Sequence, residues 1–367
     1  MKEKYGLVVE GGVGDHILAT PMIRSFRNKH SNAEIGVIST HSRVFQNNPR
    51  ADLFYDASEP MDFWHRFVRG NEENCFRPNI YEKNRMNQKK AMRKAICECY
   101  NIEDDNGPLE LFTTPQEDGA VDQFLSQFKL PVVVLHGCGG RVRFANTKRT
   151  HNKDYPIDYM VEIIKNLMQR FQFVQMGIDG EPKIEGIPLF WNTTIGEAFA
   201  LAKKCYTFIA IDSFFAHAAA AFNKKGIVLW GSTSVKAYGH DIHENITGYE
   251  GCQDKEFYAI KSDTYGCGRP DGVFFDIVPG SYLSAENTPN KRMGQLWQCP
   301  HISCMKSITP DKVINALMDL SKEIDRKEIE NELKSKLPKP KTKKINRRKK
   351  INKRKEIKEE YNAINAN

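Results

Sequence analysis

Nowhere does the chain hold 18 consecutive apolar residues, so no helix that spans a bilayer is expected. The opening MKEKYGLVVEGG carries an apolar run of strand length and then Gly-Asp, not the apolar core of a signal peptide. A cytoplasmic protein with reduced thiols is therefore expected, and its nine cysteines are not assumed to pair. The glycine turn at 11–14 is not followed by Gly-Lys-Ser/Thr and lacks the GxGxxG spacing, which argues against a Walker loop and against a dinucleotide site. A basic body is also missing. The net charge of +8 comes from residues 334–367, with 14 Lys/Arg against 3 Asp/Glu, while residues 1–333 hold 40 against 43. A body at −3 gives no compositional reason to bind nucleic acid.

What is present suits a two-domain α/β protein. A chain of 367 residues is long for a single core, and 40% hydrophobic with 10% aromatic residues is ample for packing. Residues 5–10 read as a strand, Gly11-Gly12-Val13-Gly14-Asp15 as a turn, and about 16–29 as an amphipathic helix with Ile17, Leu18, Met22, Ile23 and Phe26 on one face. A second strand over 34–39 completes a βαβ unit. Residues 60–112 suggest an insertion, partly helical, in which Cys97 and Cys99 are packing residues. Residues 113–129 look like the crossing between domains. The rhythm then repeats: strand 131–135, helix 157–170, strand 173–176, helix 194–204. The expected division is a first domain over 1–129, a second over 130–333 with a Cys-bearing segment at 250–305, and a basic tail over 334–367 that is disordered or loosely helical. A final helix should start at Thr309-Pro310-Asp311, with Thr as cap and Pro at the first helical position.

The stretch 208–239 organises the second half. A buried strand (208–211) runs into Asp212-Ser213, both favoured N-cap residues, then an Ala-rich helix over 216–222, a second strand over 226–230 and the polar loop Gly231-Ser232-Thr233-Ser234. In an open parallel sheet ligands bind at the carboxyl edge, where a helix N-terminus already favours an anion. The stretch reads as a cradle for the diphosphate of an activated sugar. An ordinary βαβ unit whose Asp-Ser pair only caps the helix has the same shape.

Several motifs, in order, resemble glycosyltransferase family 9, the ADP-heptose:lipopolysaccharide heptosyltransferases. Gly14-Asp15-His16-Ile17-Leu18-Ala19-Thr20-Pro21 is similar to the family's opening turn and helix, and the similarity continues through Asn47-Asn48-Pro49-Arg50-Ala51-Asp52. Lys153-Asp154-Tyr155-Pro156 resembles its Lys-x-aromatic-Pro signature, and Asp212-Ser213-Phe214-Phe215-Ala216-His217 its Asp-[Ser/Thr]-Gly-x-x-His motif. Gly231-Ser232-Thr233 resembles its Gly-Pro-Thr loop, and the run from Cys299-Pro300 to Cys304 its Cys-rich segment. The resemblance implies a GT-B fold, two Rossmann-like domains facing across a cleft, with the acceptor on the first and the nucleotide-sugar on the second. It implies an inverting, metal-independent transfer of heptose or a related sugar to a lipopolysaccharide-like or other glycan acceptor. The nucleotide-sugar, ADP-linked in the family, is then a substrate, and no cofactor is expected.

Carried onto this chain, the resemblance makes Asp15 the base and Lys153 the phosphate cation. Gly12, Gly14, Glu181, Asp212, Ser213, His217 and Thr233 are the donor-binding set, with Glu181 toward the nucleotide ribose. Each residue has a plain alternative: Asp15 as a helix cap, Lys153 as a solvated lysine with Lys148 or Arg149 in its place, His217 as a packing residue, Thr233 as a turn closer. Two positions depart from the family. Phe214 stands where it has Gly, adding bulk beside the expected diphosphate, and Ser232 stands where it has Pro. Cys252, Cys267, Cys299 and Cys304 offer four thiols for a structural metal, yet their spacings of 15, 32 and 5 include no Cys-x-x-Cys pair, and free packed thiols are the simpler reading. Phe214 motivates one rival function, a GT-B scaffold that binds without turnover. The tail motivates another, an adaptor for an anionic membrane or nucleic acid. For an enzyme with a lipid-linked acceptor, 334–360 would give peripheral contact with the inner face of a membrane.

Overall fold

The computed structural model describes residues 2–80, 90–138, 153–231, 233–251 and 303–336. Two parallel sheets dominate it. The first takes β1 (Lys4–Val9), β2 (Glu34–Ser39), β3 (Leu53–Asp56) and β4 (Cys75–Phe76) in the order β3-β2-β1-β4. Between β1 and β2 the chain forms α1 (Val13–Leu18) and α2 (Thr20–Lys29). The expected single helix over 16–29 is thus two. Pro21 has no N–H to give to the carbonyl of Ile17, and the Thr20 hydroxyl takes that carbonyl instead at 2.8 Å.

Within 60–112, read above as an insertion, the chain makes two short helical turns, Met61–Phe63 and Trp64–Val68, and then adds β4 to the edge of β1. Phe63 and Phe67 pack with Ile38 into a small satellite core. After that comes α3 (Met92–Cys99), in which Cys97 and Cys99 are buried.

Helix α4 (Pro115–Leu125) leads out of this half. Thr114 opens it with a capping box: its hydroxyl accepts from Glu117 N–H (3.2 Å) and the Glu117 carboxylate accepts from Thr114 N–H (2.7 Å). The second sheet comprises β5 (Val132–His136), β6 (Gln172–Gly177), β7 (Leu189–Trp191), β8 (Thr207–Ile211), β9 (Ile227–Trp230) and β10 (Glu244–Thr247), all parallel, in the order β10-β9-β8-β5-β6-β7. Its helices are α5 (Ile157–Leu167), α6 (Ile195–Lys204), α7 (Phe214–Ala221) and the short α8 (Val235–Tyr238). α4 is tied to α6 by Lys203–Asp118 (2.8 Å) and Lys204–Asp122 (2.6 Å). Arg43, from the loop after β2, reaches Glu117 of α4 and lies over the Phe199 ring of α6.

The chain builds outward from β5 to β6 and β7, then returns to lay β8 on the other side of β5, which makes the β5–β8 boundary the switch point of the sheet. Such a boundary opens a crevice at the carboxyl ends of its strands. In the first sheet the same reversal falls between β1 and β4. Past β10, α9 (Ser303–Lys306) and α10 (Pro310–Lys336) follow, α10 opening at the expected Pro. Residues 1–316 form one compact unit and 317–367 a second. The stretch 252–302 and the tail beyond 336 lie outside the described residues. Among those described, no helix is long and apolar enough to cross a membrane.

Candidate functional site

The loop after β1 turns on Gly11, at φ 119°, where a Cβ would come within 2.8 Å of the Asp15 carboxylate. Gly12 N–H donates to Asp15 Oδ2 at 2.8 Å, so Asp15 does close the first turn of α1, as its plain reading had it. That role and a basic role are compatible, because a carboxylate has two oxygens and the side chain is only partly buried. Beneath the loop sits a residue that motif reading passed over. His16 is fully buried, with Nδ1 2.7 Å from the Gly12 carbonyl oxygen and Nε2 3.1 Å from that of Val9. Burial lowers its pKa, while the two carbonyls pull it back up. His16 fastens both ends of the glycine loop, which is why Asp15 is held in place.

Across the molecule, β8 delivers Asp212 and Ser213 to the switch point. Asp212 is 7% exposed, and Lys153 Nζ donates to its Oδ2 at 2.7 Å. Burial works against the Asp212 charge, but Lys153 above all offsets it and helps hold its carboxyl below the usual range. Ser213 occupies the N-cap of α7 without using its hydroxyl as a cap; Oγ lies 2.8 Å from Nδ1 of His136 at the end of β5. His136, buried and lowered to about 4 by that burial, is another residue no motif had flagged. His217, on the first turns of α7, is 4% exposed, with Nδ1 2.8 Å from Nε2 of His240. Its pKa is lowered, chiefly by burial, against the opposing charges of Asp212 and Asp15. Thr233 comes beside Asp212 from the loop after β9, and its buried hydroxyl makes no well-formed hydrogen bond among the described residues.

These two groups meet. A Cβ on Gly14 would lie 3.1 Å from Cδ2 of His217 and 3.8 Å from Cα of Phe214, so α1 packs directly on α7 with little room for a side chain at position 14. Gly14, Asp15, His217, Asp212 and Lys153 therefore share one neighbourhood, to which Ser213 and Thr233 contribute hydroxyls. Phe214, the departure from the family pattern, opens α7 with its ring edge-on to His136 at 5.5 Å.

Glu181 is not in that group. It follows β6, takes Ile178 N–H on Oε2 at 3.2 Å, and lies near Asp154 and Cys138. Burial raises its pKa to about 7; the Ile178 N–H lowers it and Asp154 raises it further. Gly12 is exposed on the loop rim. Lys148, Arg149, Ser232, Cys252, Cys267 and Cys299 lie outside the described residues. Cys304 packs against Gly231. Among the described residues no group of three or more His, Cys, Asp or Glu side chains is arranged to hold a metal ion.

Residues 140–256 match the model of glycosyltransferase family 9 (heptosyltransferase). The matched segment, about a third of the chain, is similar to that family. Within it fall Lys153, Glu181, Asp212, Ser213, His217 and Thr233; Asp15 precedes it. No curated sequence is significantly similar to the chain. Among solved structures, a glycosyl transferase of family 9 from Veillonella parvula is 14% identical, with a TM-score of 0.58 over 88% of this chain and 97% of its own. The iron-containing dodecameric glycosyltransferase TibC of enterotoxigenic E. coli is 13% identical, at 0.59 over 88% and 78%. The ADP-heptose lipopolysaccharide heptosyltransferase II of E. coli is 17% identical, at 0.51 over 66% and 90%. At these identities the likeness concerns the fold: paired parallel α/β halves, the GT-B arrangement of family 9.

Proposed function

We propose that the protein is an inverting glycosyltransferase that moves a sugar, heptose or a close relative, from a nucleotide diphosphate donor to a hydroxyl of a lipopolysaccharide-like glycan. The observation that carries this reading is the close approach of Gly14 to His217, which brings a half-buried carboxylate from one half and a set of polar donors from the other to the same place. In the reaction Asp15 accepts the proton of the acceptor hydroxyl. The acceptor oxygen bonds to the anomeric carbon from the face opposite the diphosphate, and the bond from that carbon to the leaving oxygen breaks. The diphosphate departs with the electron pair. Its charge is met by Lys153, by His217, by the Thr233 hydroxyl and by the N-terminus of α7. Glu181, at the end of β6, suits the nucleotide ribose. An ADP-linked donor follows from the resemblance to family 9.

A scaffold without turnover is the second reading, and Phe214 is its motive. The first helical position imposes no need for glycine, and the ring turns toward His136, which favours the catalytic reading. Asp15→Asn decides between them. Its side-chain oxygen still takes the Gly12 N–H, so the fold should stand, while transfer from ADP-, GDP- or UDP-linked sugars should fall by about 10²–10⁴. Donor binding by calorimetry without turnover in wild type and variant alike would establish the scaffold instead.

A further inference from the structure

His240 belongs to none of the motifs, yet its side chain is a direct partner of His217. It lies in the loop between α8 and β10. Asn245 of β10 fixes that loop, donating from Nδ2 to the carbonyls of His240 and His243 at 3.0 Å each while its Oδ1 accepts the Trp230 indole N–H at 2.8 Å. His240 Nε2 is thereby set 2.8 Å from His217 Nδ1, the rings 5.0 Å apart and nearly perpendicular.

Two imidazole nitrogens at that distance share one proton, and either ring can supply it. The other edge of His217 decides which. That edge, carrying Nε2 and Cδ2, faces Gly14, and the carboxylates of Asp15 and Asp212 both act on the ring. A bare lone pair on Nε2 would point into the potential of two anions, whereas a proton there is attracted by both; in a buried place this difference is amplified. We infer that His240 is a positioning residue: it donates Nε2–H to His217 Nδ1, fixes His217 in the Nε2–H tautomer, and aims a neutral N–H at the place where a diphosphate oxygen would sit. His217 in that form cannot take a proton from the acceptor, which leaves this task to Asp15.

The surrounding groups keep the pair uncharged. His243 stands 5.7 Å from His240 between ring centroids, its Nε2 2.9 Å from the Ala216 carbonyl oxygen, and Lys153 and Arg93 add positive potential at His217 and His240 respectively. Among the described residues the acidic groups acting on His217 are Asp212 and Asp15, and Asp212 already holds Lys153.

The consequence for catalysis rests on the glycosyltransferase reading; the tautomer does not. Long-range ¹H–¹⁵N spectra of the full chain labelled at histidine, with His217→Gln to assign the signals, read the tautomer directly. Nδ1 of His217 should appear as an unprotonated acceptor. His240→Gln keeps an N–H near the Nε2 position and should retain kcat within about threefold, while His240→Leu should lose about tenfold or more in kcat with KM little changed. A His217 protonated on Nδ1 in the wild type would overturn the inference. So would equal kcat for the Gln and Leu variants with equal melting temperatures. If no nucleotide-sugar is turned over at all, the spectra still decide the tautomer, and only the proposed function fails.

Discussion

Glu181 is a carboxyl group whose surroundings disfavour its charge. Burial is the main cause, Asp154 adds repulsion, and a single backbone N–H from Ile178 is the compensation. Its folded value of about 7 lies above the ordinary 4.5, so between those two values the folded chain keeps a proton that the unfolded chain has released. Stability from this group therefore declines as pH rises from 4.5 toward 7, and the full cost is present above 7. Glu181→Gln is neutral throughout and can still accept the Ile178 N–H. It should be more stable than the wild type at pH 8, by about 1–2 kcal/mol once partial solvent exposure is allowed for, with the difference closing as pH falls toward 4.5. Melting curves across that range measure it, and a constant difference would show that the carboxylate is not under strain. The Asp212–Lys153 pair works in the opposite sense. There the charged form is favoured, and stability is lost only as pH falls through a value below the usual carboxylate range.

Among elements, α1 meets α7 closely at Gly14, where the missing methyl group leaves room for the His217 ring. Gly14→Ala would put a Cβ 3.1 Å from Cδ2 of His217, closer than carbon atoms rest, and His217 is already held from behind by His240. The ring must give by a few tenths of an ångström. A displacement of that order at the proposed phosphate ligand should lower kcat about tenfold while the melting temperature moves little, since α1 gains an alanine in place of glycine. Steady-state kinetics beside a thermal melt test it; unchanged kcat would mean that His217 does not need its present position. The same contact marks the limit of what sequence discloses. The β8–α7–β9 unit was legible because an apolar strand, two cap residues and an alanine helix follow one another within 30 residues or so. β4 was not, since two residues, Cys75 and Phe76, are too few to show a period and gain their identity only by pairing with β1. The break between α1 and α2 was readable in principle from Pro21. His16, His136 and His240 were invisible for a different reason: a histidine announces its role only through its partner, and the partners of His136 and His240 stand 77 and 23 residues away.

At the scale of the whole molecule, charge is divided rather than spread. Residues 1–333, at −3, gain nothing from an anionic membrane surface, while residues 334–367 carry 14 Lys/Arg against 3 Asp/Glu. An enzyme whose acceptor is a glycolipid has to work at such a surface, and each basic residue near it contributes about 1 kcal/mol of attraction, within a Debye length of about 10 Å at 0.1 M salt. The tail is thus expected to bring the catalytic body to its acceptor. Deleting residues 334–367 should abolish co-sedimentation with vesicles containing phosphatidylglycerol. It should also raise KM for a vesicle-borne acceptor while leaving turnover of a soluble acceptor fragment unchanged. High salt should reproduce the deletion in the wild type, because it screens the same charges. If the shortened chain still binds vesicles, attraction resides in the body and the division of charge has another purpose; if the tail holds double-stranded nucleic acid in preference to vesicles at equal salt, the surface it serves is not a membrane.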